Sequence, residues 1–141
     1  MLIKDFPSHC EQRCPIIVCK EKGTQHRAIN RDRNIVFKYH VDGEIVTGSN
    51  KKRCDYLVEN EDKKTAYLIE LKGTDLPSAI EQIESSLAQF RLLFTQESYT
   101  VNLRIVYKSN SHAVNSPAYR KFIGKYGKAA RIETNVIEEN I

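Results

Sequence analysis

Two apolar segments joined by a short polar turn constrain the fold of this chain more than any other part of its sequence. Residues 54–60 read CDYLVEN, residues 65–72 read TAYLIELK, and EDKK lies between them. If the chain folds back at the centre of EDKK, Leu57 lies opposite Leu68, and the acid and the base at the two ends of EDKK also face each other. The pattern therefore predicts an antiparallel hairpin in one register, because a slip of one residue would move every side chain to the wrong face.

The same register brings two carboxylates together on one side of the hairpin. Asp55 lies opposite Glu70, and Cβ atoms across such a pair are about 4.5–5.5 Å apart. Lys72 shares a face with Glu70, since side chains alternate along a strand. Uncompensated like charges at these positions would destabilise the sheet, whereas a divalent cation would remove the repulsion.

These residue types suit metal-dependent phosphodiester hydrolysis. Mg²⁺ is commonly held by one or two carboxylates with water and phosphate oxygens, and it acidifies a bound water and stabilises charge on the phosphate. A neighbouring lysine could orient or deprotonate that water. The alternative interpretation is a cross-strand salt-bridge network of Asp55, Glu70 and Lys72 on a half-exposed sheet, with no catalytic role.

A long amphipathic helix is expected after the hairpin. Apolar residues follow a period of 3.6 from Ile80 to Phe94, and Ser78 with Glu81 forms a capping box directly after Pro77. Further patterns predict a strand at 101–108, a short helix at 116–127 that ends at a glycine, and a strand at 129–137. The expected fold class is α/β of the α+β type, with a central mixed β-sheet flanked by helices.

The sequence before residue 54 carries weaker patterns. Residues 34–41 and 44–48 predict a hairpin around Asp42-Gly43, since this dipeptide suits the positive φ angles of a tight turn. The first 34 residues are expected to be an irregular or helical extension, with one short helix near 24–31. The whole chain, residues 1–141, is expected to be a single domain.

The four cysteines and four histidines show no spacing typical of a metal site. Three cysteines have the pattern C-x3-C-x4-C, which matches no zinc knuckle, so buried reduced thiols are expected rather than a zinc site. The histidines are expected to be structural or surface residues. These eight residues are Cys10, Cys14, Cys19, Cys54, His9, His26, His40 and His112.

The net charge of +4 is too small to indicate a nucleic-acid partner without a clustered distribution. Basic residues do cluster, and the alternative for each cluster is solvated surface. The candidates for nucleic-acid contact are Lys51, Lys52, Arg53, Arg120 and Lys121. No apolar run approaches the roughly 18 residues of a membrane span, and the first residues lack the apolar core of a signal peptide. A soluble cytoplasmic protein with no membrane partner is expected.

Asp55, followed fifteen residues later by Glu70-Leu71-Lys72 in an apolar strand and then by a helix and a strand, resembles the PD-(D/E)XK nuclease superfamily. That superfamily includes restriction endonucleases, Holliday-junction resolvases and repair exonucleases. The resemblance covers about residues 35–108. It implies a restriction endonuclease-like core, in which a mixed sheet is flanked by helices and the motif lies on the second and third core strands.

The resemblance also implies a role for each matching residue. Asp55 and Glu70 would bind Mg²⁺ or Mn²⁺, Leu71 would contribute its backbone carbonyl, and Lys72 would be the catalytic lysine. Gln82 matches a glutamine that some branches place on the next helix and would support the site or its substrate. A surface glutamine is the alternative.

Two positions depart from the family pattern. Cys54 precedes Asp55 where the motif has proline. Ser86 stands where the exonuclease-like branch has tyrosine. Many members also carry an acidic residue on an N-terminal helix, for which Glu11 and Glu44 are the candidates here.

The expected function is therefore a divalent-metal-dependent nuclease that hydrolyses phosphodiester bonds in DNA. One such site cuts one strand, so a homodimer is expected if the substrate is duplex or branched DNA. The first alternative is a non-catalytic nucleic-acid-binding or assembly domain with a degenerate nuclease fold. The second is a restriction-like domain that acts only with a partner protein.

Overall fold

The computed structural model describes residues 1–72, 75–108 and 116–141, and for Lys72 it describes the backbone alone. The described residues form eight strands and two helices. In chain order these are β1 (Ile16–Glu21), β2 (Thr24–Ile29), β3 (Val36–His40), β4 (Tyr56–Asn60), β5 (Thr65–Lys72), α1 (Leu76–Gln96), β6 (Thr100–Tyr107), α2 (Pro117–Tyr126), β7 (Ala130–Thr134) and β8 (Val136–Asn140).

The described strands form two mixed sheets. The larger has five strands in the order β3-β4-β5-β6-β7, antiparallel from β3 to β5 and parallel from β5 to β7. The smaller has three, in the order β1-β2-β8. This architecture confirms the α+β class and the mixed sheet. The helices differ from expectation, because both pack on one face of the large sheet and the small sheet covers the other.

The hairpin at the centre of the large sheet has the predicted register. Leu57 pairs with Leu68, and the ladder runs without a slip over Tyr56–Asn60 and Thr65–Ile69. The turn between the two strands is centred on EDKK, as the charges of Glu61 and Lys64 predicted. The Lys64 N–H donates to the Glu61 carbonyl at 3.2 Å.

Strand β5 is buried on both faces, and each face belongs to a different core. Leu57 and Leu68 pack among the residues of α1 and α2, whereas Tyr56 and Ile69 pack against the small sheet. All four side chains are less than a tenth exposed. Period-two alternation along β4 and β5 therefore separates two apolar layers, with the large sheet between them.

The N-terminal region was predicted wrongly as irregular or helical. Residues 16–29 form an antiparallel hairpin of β1 and β2, with Gly23 at a positive φ of 79° in its turn. Burial along β2 alternates, so Thr24, His26 and Ala28 lie inside while their neighbours are half-buried. The segment predicted as a helix near 24–31 is a strand. Its buried residues alternate with a period of two, and they are small or polar instead of bulky and apolar.

The predicted hairpin at 34–48 forms only its first arm. β3 pairs with β4, and the second arm is replaced by a compact turn in which the Val46 N–H donates to the Val41 carbonyl at 2.9 Å. Gly43 has the expected positive φ, 84°. The segment therefore keeps the predicted turn, but the partner of β3 is β4.

The helices follow the predicted periodicity with shifted ends. α1 buries Ile80, Ile83, Phe90 and Phe94 as expected, but it begins at Leu76 because the Asp75 side chain, not that of Ser78, caps it. The Asp75 carboxylate accepts the Ser78 N–H at 3.1 Å. α2 ends at Gly127, whose φ is 56°, as the sequence indicated. No described helix combines the length and the apolar character needed to cross a membrane.

The strand predicted at 129–137 is two strands. Asn135, with a φ of 65°, separates β7 from β8, and β8 leaves the large sheet to pair in parallel with β2. A cluster of three side chains, those of Arg104, Glu139 and His26, then joins the two sheets at β8. Arg104 of β6 donates to both carboxylate oxygens of Glu139, at 2.7 and 2.9 Å, and His26 Nε2 lies 2.7 Å from the same carboxylate.

We expect this contact to make stability depend on pH in the acidic range. Burial alone would raise the pKa of Glu139, but its hydrogen bonds with His26 and Arg104 lower the pKa from 4.5 to about 2. Because the folded-state pKa is depressed, the stabilisation is present above about pH 4.5 and is lost as the pH falls towards 2. That shift corresponds to on the order of 3 kcal/mol.

The measurement is urea unfolding at several pH values between about 6 and 2, roughly the range in which carboxylates titrate. The Glu139→Gln variant should lose less stability over this range than the wild type. Glu138→Gln removes an exposed neighbour that pairs with Arg27, and it should keep the wild-type dependence. Equal acid slopes in wild type and Glu139→Gln would contradict the assignment.

Candidate functional site

A polar cavity of about 330 Å³ opens where the start of β4, the end of β5 and the first turns of α1 meet. Two predicted metal ligands, Asp55 and Glu70, line it together with Gln82. The complete lining is Asp42, Ser49, Lys51, Lys52, Arg53, Asp55, Glu70 and Gln82. Residues that are distant in sequence thus share one site, as the hairpin register and the helix after it predicted.

Asp55 directly precedes β4 and is fixed from both sides. Its N–H donates to the Ile69 carbonyl at 3.1 Å, and its carbonyl accepts the Val41 N–H at 2.9 Å. Its Oδ2 accepts the Leu71 N–H at 2.8 Å. Asp55 therefore continues the strand pairing by one residue, and the β4–β5 register extended by that residue brings it opposite Glu70.

Glu70 is 3% exposed and lies on the helix-covered face of β5. Cys54 directly precedes Asp55, and its thiol interacts electrostatically with the carboxylates of both Glu70 and Asp55. Burial raises the pKa of Cys54 well above its usual range, a hydrogen bond from Ser86 opposes the rise, and the two carboxylates add to it. Cys54 is consequently a neutral packing residue.

Helix α1 holds the segment before Asp55 through three hydrogen bonds to its backbone. Gln82 Oε1 accepts the Arg53 N–H at 2.8 Å, and Ser86 Oγ accepts the Cys54 N–H at 2.7 Å. Gln89 Nε2 donates to the carbonyl of residue 52 at 3.0 Å. The three side chains recur at i, i+4 and i+7 on one helix face, so the helical period matches the extended segment beside it.

The Gln82 side chain therefore lies at the site and not on the open surface. It lines the cavity, and it also supports the chain that carries Asp55. Ser86, which departs from the tyrosine of the exonuclease-like branch, acts in the same support.

Two of the three basic residues at this cavity are engaged in contacts within the protein. Lys52 forms an ion pair with Glu81. Arg53 donates through Nε to Asp42 at 2.8 Å and through its guanidinium to the Lys51 carbonyl at 2.6 Å. The Lys51 side chain is exposed and lines the cavity. Lys51 is thus better placed than Arg53 to meet a ligand from solvent.

The remaining predicted residues stand apart from this arrangement. Arg120 and Lys121 lie on α2, and Lys121 lines a separate cavity of about 230 Å³ between α1 and α2. Lys72 ends β5 opposite Tyr107 of β6, but its side chain lies outside the described part of the chain. Leu71 contacts Asp55 through its N–H, and ligation through its carbonyl stays a prediction.

A third carboxylate, that of Asp42, also lines the cavity. From the sequence, Asp42 was predicted only as a turn residue and not as part of the site. Its N–H lies 3.4 Å from the Asp55 carbonyl, so the turn after β3 is attached to the start of β4. The acidic candidates chosen from the sequence do not line this cavity among the described residues: Glu11 is exposed, and Glu44 contacts His9 at 2.8 Å. The sequence signal for including Asp42 in the site was its place in an Asp-Gly turn that precedes the strand led by Asp55.

Within the described residues, one group of three side chains brings possible metal-binding atoms to within 4.8 Å of one another. It consists of His9, His40 and Glu44 and includes neither Asp55 nor Glu70. Among the cysteines, Cys19 and Cys54 are buried as predicted, whereas Cys10 and Cys14 are half-buried.

Comparisons of the chain with protein-family models, with curated proteins and with solved structures found no match. Inference of function therefore depends on the geometry and chemistry of the cavity. The structure defines an α+β protein with a five-stranded mixed sheet among its described residues and a carboxylate-lined cavity at the ends of two neighbouring strands.

We expect Ser86→Ala to lower the free energy of unfolding by about 1–3 kcal/mol, because the buried Cys54 N–H would lose its acceptor. Urea unfolding monitored by circular dichroism measures the change. Ser85→Ala is the matched control, since Ser85 accepts a hydrogen bond from the exposed Gln89 amide, and that amide keeps its bond to the carbonyl of residue 52 in the variant. Equal stability of the two variants would show that Ser86 does not hold this segment.

Proposed function

We propose that this protein is a divalent-metal-dependent nuclease that hydrolyses phosphodiester bonds in DNA, with Asp55 and Glu70 as its metal ligands. The observation that carries the proposal is that these two carboxylates line one cavity, in the hairpin register read from the sequence. A salt-bridge network alone would require neither a cavity nor an aspartate whose carboxylate accepts a hydrogen bond from the backbone of the opposite strand.

The donor set fits a hard divalent cation. Carboxylate oxygens are the protein ligands that Mg²⁺ and Mn²⁺ prefer, and water and phosphate oxygens complete their shell. Glu70 is 3% exposed, and a cation bound beside it would favour the ionised form of its carboxylate. A bound Mg²⁺ or Mn²⁺ would supply charge stabilisation on the phosphate and a more acidic water.

The chain's own residues would divide the remaining work. Asp55 would bind with one carboxylate oxygen already oriented by the Leu71 N–H. Gln82 and Ser86 would keep the segment before Asp55 in place as substrate enters. Lys72 would orient or deprotonate the attacking water, the role that the family resemblance implies.

The fold supports the same assignment. Asp55 leads β4 and Glu70 lies in β5, the second and third strands of the five-stranded sheet. An amphipathic helix then connects β5 to a parallel neighbour, β6. A restriction endonuclease-like core would have this arrangement. The small sheet on the opposite face would be an addition to that core.

DNA is the proposed substrate, and Lys51 is the residue at the cavity best placed to meet a phosphate. One site of this kind cuts one strand. A homodimer with two sites would therefore act on duplex or branched DNA.

The test is cleavage of supercoiled, linear, single-stranded and branched DNA, and of RNA, with Mg²⁺, Mn²⁺ or EDTA. Glu70→Gln and Lys72→Ala should each reduce the rate by about 10²–10⁴-fold, as expected for loss of a catalytic group. Asp55→Asn should do the same while keeping an oxygen for the Leu71 N–H, so that folding and metal binding are separated. Glu138→Gln is the control with an exposed carboxylate outside the cavity.

Mn²⁺ calorimetry adds a readout independent of cleavage. Asp55→Asn and Glu70→Gln should lose the heat of binding, whereas Lys72→Ala should retain it. Metal-independent DNA binding without cleavage by the wild type would overturn the enzyme assignment and favour the non-catalytic binding domain. Cleavage that appears only when a further protein is added would favour the partner-dependent domain.

A further inference from the structure

Three potential metal ligands meet on the surface near the end of β3, outside the lining of the cavity that contains Glu70. His9 comes from the N-terminal segment, His40 from the last residue of β3, and Glu44 from the turn that follows. Their ligand atoms all lie within 4.8 Å of one another. None of the three lines the cavity that contains Glu70.

We propose that His9, His40 and Glu44 form a second metal site, one that takes a borderline transition-metal ion such as Zn²⁺. Two imidazole nitrogens and one carboxylate oxygen suit Zn²⁺ and are a poor set for Mg²⁺, which prefers oxygen. With three protein ligands, the fourth tetrahedral position would be left to water. The site is independent of the proposed nuclease activity.

The distances are close to those that zinc requires. Zn–N and Zn–O bonds of about 2.0–2.2 Å place tetrahedral ligand atoms about 3.3 Å apart. Glu44 Oε2 lies 2.8 Å from His9 Nε2 and 3.7 Å from His40 Nδ1. These two separations lie on either side of the required value, so the Glu44 oxygen is near the required distance from each nitrogen.

The rings must tilt for an ion to enter. The His9 and His40 rings stack at 3.9 Å with 13° between their planes, and a nitrogen lone pair lies in the plane of its ring. Two parallel rings cannot direct their lone pairs at one ion. Both side chains are about a third exposed, at 34% and 39%, so one ring can turn without disturbing the core.

The backbone around the rings is held in place. The His9 N–H donates to the Lys38 carbonyl at 2.7 Å, which attaches the N-terminal segment to β3. The His40 ring packs edge-on against Tyr56 at 5.1 Å. His9 is therefore the ring that would move, and His40 is the one that would stay.

Titration of the whole chain with ZnCl₂ by isothermal calorimetry tests the proposal. The wild type should bind at least one equivalent of Zn²⁺, because the carboxylates of the cavity are themselves proposed metal ligands and can take a second. His9→Gln, His40→Gln and Glu44→Gln should each weaken binding by at least about tenfold, as loss of one ligand would. Glu11→Gln is the control for a nearby exposed carboxylate, and circular dichroism checks that every variant is folded.

Two further variants separate this site from other zinc-binding groups in the chain. Cys10→Ser/Cys14→Ser removes the neighbouring half-buried thiols, and Asp55→Asn/Glu70→Gln removes the carboxylates of the cavity. Both should keep the equivalent of Zn²⁺ that His9→Gln weakens, even where the cavity variant loses a second one. In NMR spectra of the wild type, one equivalent should shift the ring signals of His9 and His40 and leave those of buried His26 unchanged.

The proposal is overturned if the wild type binds no zinc, or if none of the three substitutions weakens binding. It is also overturned if the cysteine variant loses zinc while His9→Gln retains it. Zinc binding that disappears only in the Asp55→Asn/Glu70→Gln variant would assign the ion to the cavity and would equally reject the surface site.

Discussion

The pairing of β4 with β5 is the interaction on which the rest of the structure depends. Leu57 opposite Leu68 sets a register in which one face of the hairpin meets the helices and the other meets the small sheet. Both faces are apolar, so a slipped register would exchange two complete sets of buried side chains. The same register carries Asp55 to Glu70, and the site is therefore a consequence of how the core packs.

Much of this centre could be predicted because several signals agreed there. Around EDKK, charge pairing and apolar pairing indicated one register, and the period of α1 ran unbroken from Ile80 to Phe94. The ends of elements were less predictable. Asp75 caps α1 in place of Ser78, because a side chain one turn before the apolar stripe can serve the first N–H groups equally well.

Other parts could not be predicted for a physical reason in each case. The buried face of β2 consists of Thr24, His26 and Ala28, which provide too little apolar contrast to reveal a strand. His26 is buried because Glu139, far along the chain, lies beside it. The approach of His9 to His40 likewise depends on tertiary pairing, since neither sequence spacing nor a shared element brings the two rings together.

The bonds from α1 to the chain before Asp55 have a consequence for how the protein can change over evolution. The hydrogen bonds that Gln82, Ser86 and Gln89 make to residues 52–54 go to backbone groups. The side chains of residues 51 and 52 are exposed and take no part in those bonds. Substitutions there could alter which ligands approach the cavity while the carboxylate geometry is inherited intact, so selectivity and the architecture of the site can diverge separately.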